Sequence, residues 1–127
     1  MKPETAEWVA KAEGDWHTAQ REIQAAEYPN YDGVCFHAQQ CAEKYLKARL
    51  IEAAIPFPKV HDLGILLQLI IPLEPAWAEM KDAAYILTDM GVEVRYPGVS
   101  ADIEDAQEAV RSAGMVRSAV RRAMGLD

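Results

Sequence analysis

Apolar residues return every three or four positions along each long segment of this chain, and no run alternates apolar with polar residues as a half-buried strand would, which leaves helices as the building material. A first helix is expected to start near Pro3, with Glu4 and Glu7 at its positive end and Trp8, Ala12, Trp16, Ala19 and Ile23 as its packing stripe. The stretch Tyr28-Pro-Asn-Tyr-Asp-Gly33 punctuates the chain. Asn30 or Asp32 can cap a second helix running from about Tyr31 to Ala54, and Pro56 and Pro58 end it. A shorter third helix follows His61-Asp62, where Leu63, Leu66, Leu67 and Ile70 give one buried face and Pro72 and Pro75 stop it. Trp77, Met80, Ala84 and Leu87 mark a fourth helix, which fades before Gly91-Val-Glu-Val-Arg-Tyr-Pro-Gly98, a loop. The last helix opens around Asp102, with Glu104 and Asp105 near its positive end, Arg117, Arg121 and Arg122 near its negative end, and a stripe of Ile103, Ala106, Val110, Ala113, Val116 and Val120. Short connections favour antiparallel neighbours. The expected fold is therefore all-α, an up-down antiparallel bundle of four main helices plus a short additional one, in a single domain over residues 1–127.

Half of the 127 residues are hydrophobic, enough for one sizeable core. The net charge of −7 argues against holding nucleic acid by bulk charge, because such affinity comes from Lys and Arg displacing counterions from phosphates. Any nucleotide contact must be local. No segment approaches the roughly 18 to 20 apolar residues of a membrane span, and the N-terminal stretch with Glu4 and Glu7 lacks a signal peptide's basic start and apolar run. A cytoplasmic protein without membrane association is expected. Cys35 and Cys41 lie on one helix with Cα atoms about 9 Å apart, beyond a disulfide, and read as packed, reduced thiols. His17, His37 and His61 form no i, i+4 pair and no Cys-x-x-Cys occurs, so neither a metal site nor a cofactor is expected.

The densest segment is Phe36-His-Ala-Gln-Gln-Cys-Ala-Glu-Lys-Tyr-Leu-Lys-Ala-Arg-Leu50. His37, Gln40, Lys44 and Lys47 fall within roughly one quarter of the helix circumference, opposite a stripe of Cys35, Ala38, Ala42, Leu46, Leu50 and Ala53. One face packs, and the other either is solvated, with Glu43 and Lys47 paired at i, i+4, or recognises a ligand. Arg95, ahead of Pro97-Gly98, can reach a phosphate or carboxylate in bidentate fashion or pair with Glu43, Glu93 or Asp15. His61-Asp62 reads as a helix cap, Trp8, Trp16 and Trp77 as core or interface anchors, and the three late arginines as a solvated, dipole-compensating end.

Taken in order, Trp8 through Asp15-Trp16, then Phe36-His-Ala-Gln-Gln-Cys-Ala-Glu-Lys44, then His61-Asp62-Leu63, then Arg95-Tyr96-Pro97 resemble the HEPN domain family over nearly the whole chain. The resemblance implies a small helical bundle, commonly a homodimer, often encoded beside a minimal nucleotidyltransferase with which it forms a two-component or toxin-antitoxin system, and associated with nucleotides or RNA. Many members are metal-independent ribonucleases with Arg, four to six residues, then His near the start of the last helix. This chain departs from that motif, since no histidine follows His61. Imidazole is the group best poised to exchange a proton near neutral pH, and Asp102 and Tyr96 are weak substitutes. The reading is a non-catalytic nucleotide- or RNA-associated binding and regulatory module. Its nucleotide- or partner-facing surface comprises His37, Gln40, Lys44, Lys47, Arg95 and Tyr96. The alternatives are a ribonuclease toxin around Arg95, with Tyr96 or a histidine such as His37, and a scaffold that only dimerises.

Overall fold

The computed structural model describes residues 1–91 and 96–127, and all of its regular structure among those residues is helical. Five α-helices follow in order: α1 (Pro3–Ile23), α2 (Tyr31–Glu52), α3 (Leu63–Ile70), α4 (Lys81–Met90) and α5 (Ile103–Ala123), with a 3-10 segment, Pro75–Met80, leading into α4. The expected loop from Gly91 to Gly98 falls partly outside the described residues, as do Glu93 and Arg95 within it.

The caps explain the boundaries. Asn30 accepts a hydrogen bond from the Gly33 amide to open α2, and Asp62, not His61, accepts from Gly64 and Ile65 to open α3. Asp102 and Asp105 form a reciprocal capping box at the start of α5. The second helix stops short of its prolines for a different reason. Ala54 turns into the left-handed region at φ 58°, and the Ile55 and Ala54 amides close back onto the Leu50 and Ile51 carbonyls. The end of α5 repeats this closure with Gly125, at φ 70°, in the position that Ala54 holds in α2.

Chain direction follows from the ties between helices. Lys2, ahead of α1, bonds Glu52 and the Ile51 carbonyl at the far end of α2, so α1 and α2 are antiparallel. Arg49, late in α2, meets Glu74 before α4, while Gly91 at the end of α4 lies against Gln39 in mid-α2. That makes α4 antiparallel to α2 as well. The Ala101 amide donates to Asp32 at the start of α2 and Arg121 reaches Tyr45 near its end, so α5 runs parallel to α2. The up-down bundle is thus realised with α2 at its centre, packed more extensively against α5 than α1 is.

Twelve of the 22 residues of α2 are buried, more than one helical face can supply, so polar residues enter the interior with the apolar ones. The expected stripe residues Cys35, Ala38, Ala42, Leu46 and Leu50 are all in the core, with Leu63, Leu66, Leu67 and Ile70 of α3 and Trp77, Met80, Ala84 and Leu87 of the fourth segment. On α5 the stripe is shifted: Ile103 is exposed, while Ala109 and Ser112 are buried. Both cysteines are buried, and burial raises the Cys41 thiol pKa well above its usual value. No helix among the described residues is long and apolar enough to cross a membrane.

A left-handed alanine carries a Cβ clash that glycine lacks. Ala54→Gly is therefore expected to stabilise the fold by about 0.5–1 kcal/mol in urea unfolding, and a loss of stability would show that the Ala54 methyl makes a packing contribution larger than its strain.

Candidate functional site

Three of the residues picked out on α2 meet the same neighbourhood. Asp15 of α1 projects a carboxylate, its side chain only 10% exposed, into the seam with α2. His37 donates its Nδ1–H to Asp15 Oδ1 at 2.8 Å, and Lys44 donates from Nζ to Asp15 Oδ2 at 2.6 Å. One carboxylate therefore gathers an imidazole and an ammonium from positions seven residues apart on α2. Phe36 packs edge-on against the His37 ring, with centroids 5.3 Å apart. The His37 side chain stays 34% exposed, so the cluster opens to solvent on its imidazole side.

Gln40 stands between them on the same ridge, and a chain of hydrogen bonds orients it. Gln39 Nε2 donates to Glu43 Oε1 at 2.8 Å and to the His61 carbonyl at 3.1 Å, so its carbonyl oxygen is turned to accept Gln40 Nε2 at 2.8 Å. One of the two Gln40 amide hydrogens is thereby engaged.

Lys47 turns inward instead of joining this ridge. It donates to Glu43 Oε2 at 2.9 Å, with Nζ 5.5 Å from the centroid of Trp8 and 6.0 Å from that of Phe57. Its side chain is only 10% exposed. The i, i+4 pair of the solvated reading thus exists, but in the interior. Glu43 also receives Nδ1 of the exposed His61. Burial pushes the Glu43 carboxyl up, yet the donors from Lys47, Gln39 and His61 outweigh it and its pKa is lowered. Of the three carboxylates offered as partners of Arg95, Asp15 and Glu43 make the bonds described above, and Glu93, like Arg95, lies outside the described residues.

The connection that carries Arg95 is anchored at both described ends on α2. Gly91 lies so close to Gln39 that an added Cβ would sit 2.3 Å from Gln39 Cγ, and the Ala101 amide bonds Asp32. Tyr96, beyond the gap, is 75% exposed. Among the described residues no group of His, Cys, Asp and Glu could hold a metal ion.

With this geometry in hand, the comparisons with known proteins are specific. The HEPN domain family matches residues 5–123. The chain belongs to the HEPN domain family. Its fold is similar to that of ST0689, an archaeal HEPN homologue, at 25% identity with a TM-score of 0.75, over 97% of this chain and 98% of that one. It is also similar in fold to TT1696 from Thermus thermophilus, at 23% identity with a TM-score of 0.73, over 95% and 98% of the two chains. No curated protein matches. HEPN domains are generally related to nucleotides or RNA.

The sequence reading of this HEPN domain missed the role of Asp15 and of Glu13. Asp15 occupies an apolar-stripe position, between Ala12 and Ala19, and a carboxylate there requires a donor from across the interface. Glu13 corrects the reading of the late arginines as a solvated end. Arg117 grips Glu13 with two parallel bonds, from Nε at 2.7 Å and from a terminal nitrogen at 2.8 Å, and stacks 5.1 Å above Trp16. Tyr45 donates its hydroxyl to the same carboxylate, and Arg121 bonds the Tyr45 oxygen and Asp127. Only Arg122 of the three is exposed. The Arg117 hydrogen bond, opposed by burial and helped by Tyr45, holds Glu13 down to about 2. Burial and the Glu13 carboxylate push the Tyr45 phenol up.

The unfolded chain protonates Glu13 near 4.5 and the folded chain only near 2, so this contribution is whole above pH 4.5 and is lost as pH falls toward 2. Glu43, also lowered, acts with the same sign. The melting temperature should therefore fall across this window, and Glu13→Gln should melt lower at neutral pH but decline less steeply in acid. Parallel acid profiles for the two proteins would contradict this assignment.

Proposed function

We propose that this HEPN domain is a non-catalytic nucleotide- or RNA-associated binding and regulatory module, a homodimer that works beside a minimal nucleotidyltransferase in a two-component or toxin-antitoxin system. The observation that carries the reading is the half-open ridge of His37, Gln40 and Lys44, held from beneath by Asp15 and Gln39. Arg95 and Tyr96 are assigned to the same surface because they follow Gly91, which lies against Gln39, in the chain. Lys47 supports the ridge from inside, through Glu43 and Gln39. Pre-positioned side chains lower the ordering entropy of binding, which suits recognition. The Lys44→Ala, Arg95→Ala double variant should bind nucleotide, or co-purify with a nucleotidyltransferase-like protein from a neighbouring reading frame, at least about tenfold more weakly, with its helical circular dichroism unchanged. Binding equal to that of the parent protein would remove this surface.

One contact favours the ribonuclease reading instead. Asp15 holds His37 by Nδ1, which leaves Nε2 of the neutral ring as a half-exposed base able to take the proton of a 2′-hydroxyl. On that reading, metal-free RNA cleavage disappears in both His37→Ala and Arg95→Ala. Nucleotide binding without cleavage by the parent protein leaves the first reading standing.

A further inference from the structure

Away from the α2 ridge, the 3-10 segment Pro75–Met80 and the last turns of α5 enclose an open groove of about 460 Å³. Trp77 and Met80, both buried, line it from one wall, and Met115, Ala119 and Ala123 of α5 line it from the other. Met115 is 51% exposed, so this apolar side chain is left half uncovered. The charged residues that line the groove are Glu79 on one wall and Arg122 on the other. Both are exposed, and neither makes an ion pair among the described residues. Apolar surface rimmed by charges that have no internal partner is characteristic of a protein contact.

The two charges select the occupant. A strongly acidic or strongly basic partner would meet a like charge on one wall wherever it met an opposite charge on the other. A second copy of this chain avoids that conflict. A two-fold axis through the groove exchanges its walls, which brings Glu79 of each copy to the wall that carries Arg122 in the other. The same rotation carries each Met115 to the Trp77 side of the facing groove. Two chains of net charge −7 repel one another at long range, and their association is least opposed where local charge cancels, as it does between Glu79 and Arg122. We propose that this groove is a self-association surface, where two copies pack Met115 against Trp77 and Met80 and pair Glu79 with Arg122 across a two-fold axis. This rests on the homodimer in the reading above and locates its interface, which shares no residue with the ridge of His37, Gln40 and Lys44.

The test is sedimentation equilibrium of the full chain over a concentration series, alongside the charge-reversed variants Glu79→Arg and Arg122→Glu. Both positions are exposed, so the helical circular dichroism should not change. The parent protein is expected to dimerise, and each variant to associate at least about tenfold more weakly, because each pairing then sets like charges together. An equimolar mixture of the two variants should recover the dimer, since a copy with two acidic walls then meets a copy with two basic ones. Met115→Asp should dissociate the dimer at high as well as low salt. If that variant does not fold, the two charge variants and their mixture decide. Dimers unchanged in both charge variants overturn this interface while leaving the homodimer standing. Weakened variants whose mixture stays dissociated overturn the two-fold arrangement. A parent protein that remains monomeric at every concentration removes both this inference and the homodimer part of the proposed function.

Discussion

The structure depends on one constraint: α2 is buried on more than its apolar face, and the polar groups it carries inside must find partners there. Glu43, Lys47, Gln39 and the Tyr45 hydroxyl are all withdrawn from water along this helix. An unpaired charge in such a position costs about 3–5 kcal/mol. Glu43 is partnered within α2 by Lys47 and Gln39, and other segments supply the rest: Glu13 of α1 and Arg121 of α5 meet Tyr45, and the His61 carbonyl, in the connection before α3, meets Gln39. The surrounding apolar surface contains many alanines, among them Ala12, Ala38, Ala42, Ala109 and Ala113. Small side chains permit close approach but resist sliding weakly. A slip of α1 by one turn, about 5.4 Å, would take Glu13 from Arg117 and Asp15 from Lys44 together, so these pairs fix the register that the alanines leave loose.

The same constraint explains what could be read in the sequence. Helix number, the caps at Asn30, Asp62 and Asp102, and the stripes of α2, α3 and the fourth segment followed from local rules, since periodicity and capping act within a few residues. The end expected at about Ala54 lies close to the observed Glu52, but its cause was misread, because the stop lies in a left-handed alanine, for which residue type gives no signal, and the nearby prolines offered a more familiar one. The destinations of charged groups were harder. Arg117 and Arg121 fit the dipole rule for a solvated helix end equally well, and only the approach of α1 turns them into ligands of Glu13 and Tyr45. A readable sign existed all the same. Asp15 interrupts the apolar stripe of α1, and an acid in a stripe announces a buried partner even when the partner's identity is hidden.

Internal pairing also changes what the polar face of α2 can do. As a list of residues, His37, Gln40, Lys44 and Lys47 resemble a cationic patch. In the folded chain Lys47 is spent on Glu43, Lys44 shares Asp15, and what reaches solvent is nearly neutral and directional. That agrees with the net charge of −7, which gives phosphate backbones no general attraction. Recognition at such a surface depends on hydrogen-bond direction, and direction is what buried carboxylates are able to impose on the groups above them.

Gln39 is where the interior and the surface meet. Its amide nitrogen is fixed by Glu43 and the His61 carbonyl, its oxygen orients Gln40, and its aliphatic carbons press on Gly91, where α4 ends. Only glycine tolerates that approach, since a Cβ would also meet the Leu87 carbonyl at 2.9 Å. The side chain that aims Gln40 therefore also seats the residue from which the Arg95-bearing connection departs. The contact couples the end of α4 to the side chain that accepts the Gln40 hydrogen bond. Gln39 thus joins Asp15 as a buried side chain through which the interior holds the ridge, by steric contact on one side and hydrogen bonding on the other.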